Sequence, residues 1–336
     1  MATIKDVAKK AGVSVATVSR VFNASGPVSA KAIERVRDVA SALRYVPHVG
    51  ARSLITSRTN CVGVLLPDLY GEFFSEVIRG MDQTAQQHGF HLLLSSAHNG
   101  KRELEGAMRA MRGRVDGMII MSPHLDEAAL IANLPSTVPV VLISCRVKDG
   151  DYDSIVIDNA RGAQQMVAHL VSQGHRRVAI IRGAEGNHDA SERLRGYRRA
   201  LRDADLAADP SLELSGDFTE ASGHRAVAQA LSLADPPTAI FAANDAMAIG
   251  AVSALRDLGR RVPEDVAVGG FDDIPIARYM NPALSSVHVP ISEMGARATQ
   301  RIIEALTGTP SRKRRREVLP TQLIVRASTN GTHGPR

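Results

Sequence analysis

From residue 61 onward the chain repeats one unit, a short apolar run followed by a stretch with amphipathic helical spacing. The apolar runs fall at residues 61–66, 90–95, 117–121, 140–144, 154–157, 178–182, 239–242 and 266–270. Residues 72–88, 101–112, 160–173, 192–203, 222–233, 245–258 and 292–307 have the helical pattern. Strands that are apolar on both faces belong in parallel sheets covered on both sides, and alternation with helices builds such sheets. The body is therefore expected to be α/β, with two open, doubly wound parallel sheets. Such sheets take ligands beyond the carboxyl ends of their strands.

Polar residues gather where those strands are predicted to end. Pro67–Phe74 reads P-D-L-Y-G-E-F-F and brings Phe73 and Phe74 to the start of a helix. Asp158 follows one strand; Asn187, His188, Asp189, Ser191 and Arg193 follow another. Asn244 with Asp245, and Asp272 with Asp273, follow two more. Carboxylates and an arginine hold vicinal hydroxyls, and a phenylalanine ring packs on the apolar face of a sugar. Each residue alone has a plainer explanation, since Asp and Asn cap helices and Asp245 could simply cap its own. The cluster carries more information than its members.

The first 58 residues have a different character. They hold ten Lys and Arg against three acidic residues, +7 of a total of +6, leaving the other 278 residues at −1. A small basic head on a near-neutral body points to a polyanion as the partner of the head, the alternative being a solvated basic surface. Thr3 precedes an apolar stripe at Ile4, Val7, Ala8 and Ala11; Thr3 and Asp6 form a capping-box pair, and Gly12 is placed to end the helix. Ser14 starts a second helix through about Phe22. Two short helices joined at a glycine form a helix-turn-helix pattern. A third helix from about Ser29 turns Ile33, Val36, Val39, Ala40 and Leu43 inward, and Pro47 is expected to close it. On a wheel of about 100° per residue, Val18, Val21 and Phe22 face the core. Ala16, Arg20 and Asn23 face outward, flanked by Val15 and Thr17. Val15 and Ala16 can meet thymine methyl groups and Arg20 can pair with guanine. Thr3, Ser14, Thr17 and Ser19 can donate to phosphates.

The segment T-I-K-D-V-A-K-K-A-G-V-S-V-A-T-V-S-R-V-F-N (Thr3–Asn23) resembles the head of the lactose-repressor/galactose-repressor family of bacterial transcription regulators. A-R-S-L (Ala51–Leu54) resembles that family's hinge, and the resemblance runs through nearly the whole chain. It implies that Val15, Ala16 and Arg20 read bases and that Leu54 wedges into the minor groove, kinking the duplex. It implies an operator with imperfect two-fold symmetry, read by a homodimer. Residues 48–59 make a poor free-standing helix, so they are expected to fold only on DNA, against the dimer partner.

For the body the resemblance implies two lobes of the periplasmic-binding-protein type, joined by three crossovers near Asp158, Val289 and Val318. The expected organisation is a head at 1–47, a hinge at 48–59, a two-lobed body at 60–330 and a tail at 331–336. Within the body, one lobe takes about 60–158 and 290–317, the other about 159–289 and 318–330. E-R-L-R-G-Y (Glu192–Tyr197) resembles the family's effector-arginine motif, which gives Arg193 that role. Phe74, Asn244, Asp245 and Asp272 fall at effector positions, and Phe218 in S-G-D-F matches a pocket aromatic of some members. The effector-binding set expected is thus Phe73, Phe74, Asp158, Ser191, Arg193, Phe218, Asn244, Asp245 and Asp272. Purine-responsive members keep an Arg and a Thr just before the arginine; Asn187, His188 and Asp189 depart from that. A sugar or sugar derivative is therefore favoured, with a purine corepressor as the alternative.

Other classes are weakly supported. No G-x-G-x-x-G, G-x-x-x-x-G-K-[ST] or G-x-S-x-G motif occurs where its chemistry would need it. Neither a metal nor another cofactor is expected. Reading Asp158, Asp245 and Asp272 as glycosidase acid/base pairs would leave the basic head without a purpose. A transport-type binding protein fits neither the head nor the N-terminus, which has no signal-peptide apolar stretch. No apolar run approaches the roughly 18 residues of a membrane helix, so the chain is expected in the cytoplasm. Cys61 and Cys145 are the only cysteines, too few for a disulfide framework. Arg312–Arg316 reads as a solvated loop, with a secondary nucleic-acid contact as the alternative, and the tail has no heptad.

Overall fold

The computed structural model describes residues 2–23, 25–46, 58–97, 101–148, 152–308 and 316–330. The chain divides into two compact units, a helical head and an α/β body.

In the head, α1 (Ile4–Ala11) begins at the capping box: the Asp6 carboxylate accepts from Thr3 N–H at 2.9 Å, and Thr3 Oγ1 accepts from Asp6 N–H at 3.4 Å. Gly12 takes the left-handed conformation, φ 61°, and Val13 N–H reaches back to the Ala8 carbonyl at 3.1 Å. Helix α2 (Val15–Asn23) starts two residues later, with Ser14 Oγ accepting from Thr17 N–H at 3.1 Å. Helix α3 (Ala30–Ala42) crosses both. The core is Val7, Ala8, Ala11, Val18, Val21, Val36 and Ala40, and Phe22 meets Tyr45 edge-on at 5.7 Å. The end of α3 differs from expectation. It closes before Pro47, at a left-handed Arg44 (φ 49°), with Tyr45 N–H bonded to the Ala40 carbonyl at 2.8 Å. This main-chain bond satisfies a terminal carbonyl by itself, so the helix stops without the proline. Pro47 lies outside the described residues.

The body holds two six-stranded sheets. The first is built from β1 (Cys61–Leu66), β2 (His91–Ser96), β3 (Gly117–Met121), β4 (Val140–Ile143), β5 (Asp153–Ile157) and β11 (Arg316–Leu319), in the order β11-β5-β4-β3-β1-β2, all parallel. The second uses β6 (Val178–Ile181), β7 (Glu213–Leu214), β8 (Ala239–Ala242), β9 (Ala267–Asp272), β10 (Ser285–His288) and β12 (Gln322–Ile324), in the order β12-β10-β9-β8-β6-β7. Only β12 runs antiparallel to its neighbour. Helices α4 (Glu72–Gln87), α5 (Lys101–Met111), α6 (Glu127–Ile131) and α11 (Ile291–Thr307) belong to the first lobe. Helices α7 (Asn159–Ser172), α8 (His188–Asp203), α9 (Glu220–Leu231) and α10 (Asp245–Asp257) cover the second. Central strands are buried along their length, as apolar runs require. Short strands β7, β10, β11 and β12 fall outside the apolar runs of the sequence, because none is itself a continuous apolar run.

The chain crosses between lobes three times, at residue 158, at 289–290 and at 320–321. The first and third crossings are tied together: Asp158 N–H donates to the Leu319 carbonyl at 3.1 Å and Thr321 Oγ1 to the Asp158 carbonyl at 3.4 Å. Among the described residues no helix is long and apolar enough to cross a membrane.

Candidate base-reading face and effector cavity

On α2 the exposed side carries Val15, Ala16 and Arg20, while Thr17, Ser19 and Asn23 are half-buried. Arg20 makes no ion pair with any described residue, so its guanidinium is available to a partner. The hydroxyls are less free. Thr3 Oγ1 donates to Asp6 at 2.8 Å, Ser14 and Thr17 share a hydrogen bond at 2.9 Å, and Asn23 Nδ2 donates to Ser19 Oγ at 3.2 Å. These contacts shape the helix start, and a phosphate at Thr3 would have to replace the Asp6 partner. Ala51 and Leu54 lie outside the described residues.

The body holds a cavity of about 400 Å³ between its two lobes, at the carboxyl ends of β1, β3, β6, β8 and β9. That is where open parallel sheets leave room, because strands end and helices begin there. Four helices start on its wall: the N-cap residues of α4, α8, α9 and α10 are Gly71, Asn187, Thr219 and Asn244, and all four line it. The second-lobe caps are side-chain bonded. Asn187 Oδ1 accepts from Ala190 N–H at 3.0 Å, Thr219 Oγ1 from Ser222 N–H at 3.2 Å, and Asn244 Oδ1 from Met247 N–H at 3.0 Å.

Arg193 is the centre of the polar wall. It is 4% exposed, and its face rests on the Phe271 ring, 3.8 Å from the centroid. Its Nε donates to Asn159 Oδ1 at 2.8 Å, Nη1 to the Ala243 carbonyl at 2.5 Å, and Nη2 lies 3.2 Å from Asp272 Oδ1. Asn159 also donates to Asp189 Oδ1 at 3.0 Å, so one amide orients both the arginine and a buried carboxylate. Burial pushes the Asp189 carboxyl above its usual range, against the pull of Arg193. Burial pushes Asp272 up to about 6, with Arg193 opposing it. Asp272 Oδ1 is buried and faces Arg193 without an aligned hydrogen bond. It also sits at φ 107°, a strained setting for a residue with a side chain. A buried acceptor with unused capacity on a cavity wall suits a ligand hydroxyl.

The apolar wall is aromatic. Phe73 and Phe74 meet edge-on at 5.4 Å, and Phe218 lines the cavity from the second lobe. Phe218 holds φ 71°, and Asn244 Nδ2 fixes its carbonyl at 3.0 Å. Gly183 makes room for the ring: a Cβ there would come within 2.2 Å of Phe218 Cζ. Two bonds cross between the lobes at the rim. Ile276 N–H donates to the Glu72 carboxylate at 3.0 Å, and His188 N–H to the Pro123 carbonyl at 3.0 Å.

Of the nine residues expected at this site, Phe73, Phe74, Arg193, Phe218, Asn244 and Asp272 line the cavity. Asp158, Ser191 and Asp245 do not. Asp158 caps α7 through Arg161 N–H at 3.4 Å and belongs to a crossover. Ser191 is exposed on α8 and returns its hydroxyl to the Asn187 carbonyl at 2.9 Å. Asp245 is wholly buried behind the wall, accepting from Ile274 N–H at 2.8 Å and Ser286 Oγ at 2.5 Å. Asn187, Asp189, Asp217 and His124 also line the cavity, and Asn159 supports Arg193 from behind. Asn187 and Asp189 were visible as strand-end polar residues. Asn159 stands one position beyond the Asp158 expected there, and only the helix phase decides which of the two turns inward.

Residues 3–48 match the model for bacterial regulatory proteins of the lacI family, and residues 167–329 match a periplasmic binding protein-like domain. The HTH-type transcriptional repressor PurR of Erwinia tasmaniensis is 34% identical over 99% of this chain and 98% of its own length. A lac repressor dimer bound to operator and the anti-inducer ONPF superposes with a TM-score of 0.87 at 30% identity, covering 98% of this chain and 99% of that one. The transcriptional regulator CelR in complex with cellobiose gives 0.73 at 34% identity, over 98% of this chain and 100% of that one. With a basic helix-turn-helix head on a two-lobed body and full-length likeness to such repressors, the chain belongs to the lacI family of bacterial regulatory proteins and is a DNA-binding transcriptional repressor, not an enzyme.

Proposed function

We propose that this repressor reads a palindromic operator as a homodimer and that a small sugar or sugar derivative in the cavity releases it. The observation that carries the effector class is the wall itself. One oriented arginine, a buried carboxylate with unused acceptor capacity and the rings of Phe73, Phe74 and Phe218 in the lining match hydroxyl edges and the apolar face of a sugar ring. The lac repressor dimer on its operator and the CelR–cellobiose complex support the same reading from relatives.

In this reading Val15, Ala16 and Arg20 face base edges, and the hinge at 48–59, with Ala51 and Leu54, docks in the minor groove. The lobes take two arrangements. A ligand touching both shifts their balance only by its differential affinity for the two. The bonds from Ile276 to Glu72 and from His188 to Pro123 join the two lobes, and in this reading they favour the closed arrangement. Lobe rotation alters the spacing of the paired hinges, and hinges that cannot pair lose the minor groove.

The test is operator binding by the purified protein, on DNA recovered from a genomic selection, titrated with sugars, sugar phosphates and nucleobases. A sugar that releases DNA supports the proposal. A nucleobase that tightens binding would replace it with corepression by a purine. Arg193→Ala should abolish the effector response while leaving operator binding intact; a normal response places the effector elsewhere.

A further inference from the structure

The cavity wall has an electrostatic property that sugar binding alone does not require. Four helix N-termini open onto it, and a helix N-terminus, with its free N–H groups and positive dipole end, ordinarily attracts phosphate. Three of them carry a lining carboxylate in the first turn: Glu72 on α4, Asp189 on α8 and Glu220 on α9; the first-turn Asp245 of α10 is buried behind the wall, and burial raises its carboxyl well above the usual range. The caps on α8, α9 and α10 also occupy first-turn N–H groups with side-chain oxygens. An incoming anion would find these positive ends already compensated.

Charge on the wall points the same way. Among the described residues, Asp68, Glu72, Asp189, Asp217, Glu220 and Asp272 line the cavity against one guanidinium, Arg193. That guanidinium faces Asp272 at 3.2 Å and shares Asn159 with Asp189, so it is not a free anion site. His124 also lines the cavity, and burial lowers its pKa, which leaves the imidazole uncharged near neutral pH.

We infer that the effector is an uncharged polyhydroxylated molecule and that the cavity rejects its phosphate monoesters. This rests on the effector reading above and narrows it: sugar phosphates and nucleotides are excluded, free sugars and nucleosides are admitted. The selectivity originates in the carboxylates at the helix starts rather than in the shape of the cavity.

The test uses the full-length protein and matched pairs of probes: glucose with glucose 6-phosphate, galactose with galactose 1-phosphate, ribose with ribose 5-phosphate, and adenosine with its 5′-monophosphate. The readouts are the thermal unfolding midpoint and release of operator DNA, at fixed ionic strength. In each pair that responds, the neutral member should act at about tenfold lower concentration or less, the scale of a repulsion between like charges a few ångströms apart. In Asp217→Asn/Glu220→Gln, two residues whose side chains reach solvent at the rim, that gap should narrow several-fold while operator binding stays unchanged. A phosphate monoester that acts at or below the concentration of its parent overturns the inference and leaves the cavity as the effector site. A gap of full size in the double variant overturns its electrostatic origin. If no member of any pair moves either readout, the effector reading of the cavity falls, and this inference with it.

Discussion

Asp272 is a buried carboxylate that the fold pairs but does not fully satisfy, and its titration should be visible. Its pKa rises from an ordinary 3.8 to about 6 in the folded chain. The folded state therefore holds this proton more tightly than the unfolded state. Its contribution to stability is complete below about pH 4 and is lost as the pH climbs through about 6. A shift of that size corresponds to about 3 kcal/mol. In urea unfolding from pH 4 to 7, the difference between wild type and Asp272→Asn should move in the variant's favour by up to that amount; a pH-independent difference would mean that Asp272 is not the group that titrates. The ionised form is the one that accepts ligand hydroxyls, so effector affinity should weaken as the pH falls below about 6. In the head, Arg20 is exposed on α2 and makes no ion pair with any described residue. Arg20→Ala should cost about 1–3 kcal/mol at one operator position and relax specificity there. Competition binding against single-base operator variants measures this, and an equal loss on random DNA would assign Arg20 to the phosphates.

Elements were legible where periodicity and punctuation agree. Thr3, Asp6 and Gly12 mark both ends of α1, and the apolar runs at 61–66, 117–121 and 239–242 match strands β1, β3 and β8 to the residue. The strands that escaped notice are short or exposed: Ser285–His288 and Arg316–Leu319 are strands because neighbours already in place offer them a ladder, which no local pattern announces. The cavity was legible at Arg193 and Phe218 through their motifs. Asp158 and Asp245 were misplaced because a carboxylate at a strand end reads the same whether it caps a helix, braces a wall or faces a ligand. Helix packing also sets the cavity. A Cβ on Gly250 would lie 1.9 Å from the Glu220 carbonyl oxygen, and one on Gly223 2.0 Å from that of Met247. Helices α9 and α10 thus touch backbone to backbone, which brings Thr219 and Asn244 to one wall. Gly250→Ala should destabilise the body by about 1–3 kcal/mol, as overpacked cores do, and should weaken the effector response by displacing Phe218 from Asn244. Chemical unfolding with an effector titration checks both, and unchanged stability would show that the two helices have slack.

At the scale of the whole body, the proposed switching can be tested at the bonds that cross between the lobes at the rim. Glu72 belongs to one lobe and Ile276 to the other, and the hydrogen bond between them is 3.0 Å long. Glu72→Ala removes it without touching Arg193 or either phenylalanine. One exposed bond shifts the balance modestly, so the effector concentration for half-release should rise about two- to tenfold. A release titration reads the shift, and an unchanged midpoint would mean that the Pro123–His188 bond and the ligand hold the lobes without it. The crossovers have another effect, in time rather than space. The first lobe makes β1 to β5 by residue 157, yet the helix packed on β3, β4 and β5 arrives only at 291–307 and its sixth strand at 316–319. Most of the second lobe lies within the uninterrupted stretch between. On a ribosome the later lobe can therefore assemble first, while the earlier one waits with the apolar faces of Ile119 and Val141 uncovered. During that interval the nascent chain exposes apolar surface of the kind that chaperones bind, and α11 covers it on emerging from the exit tunnel.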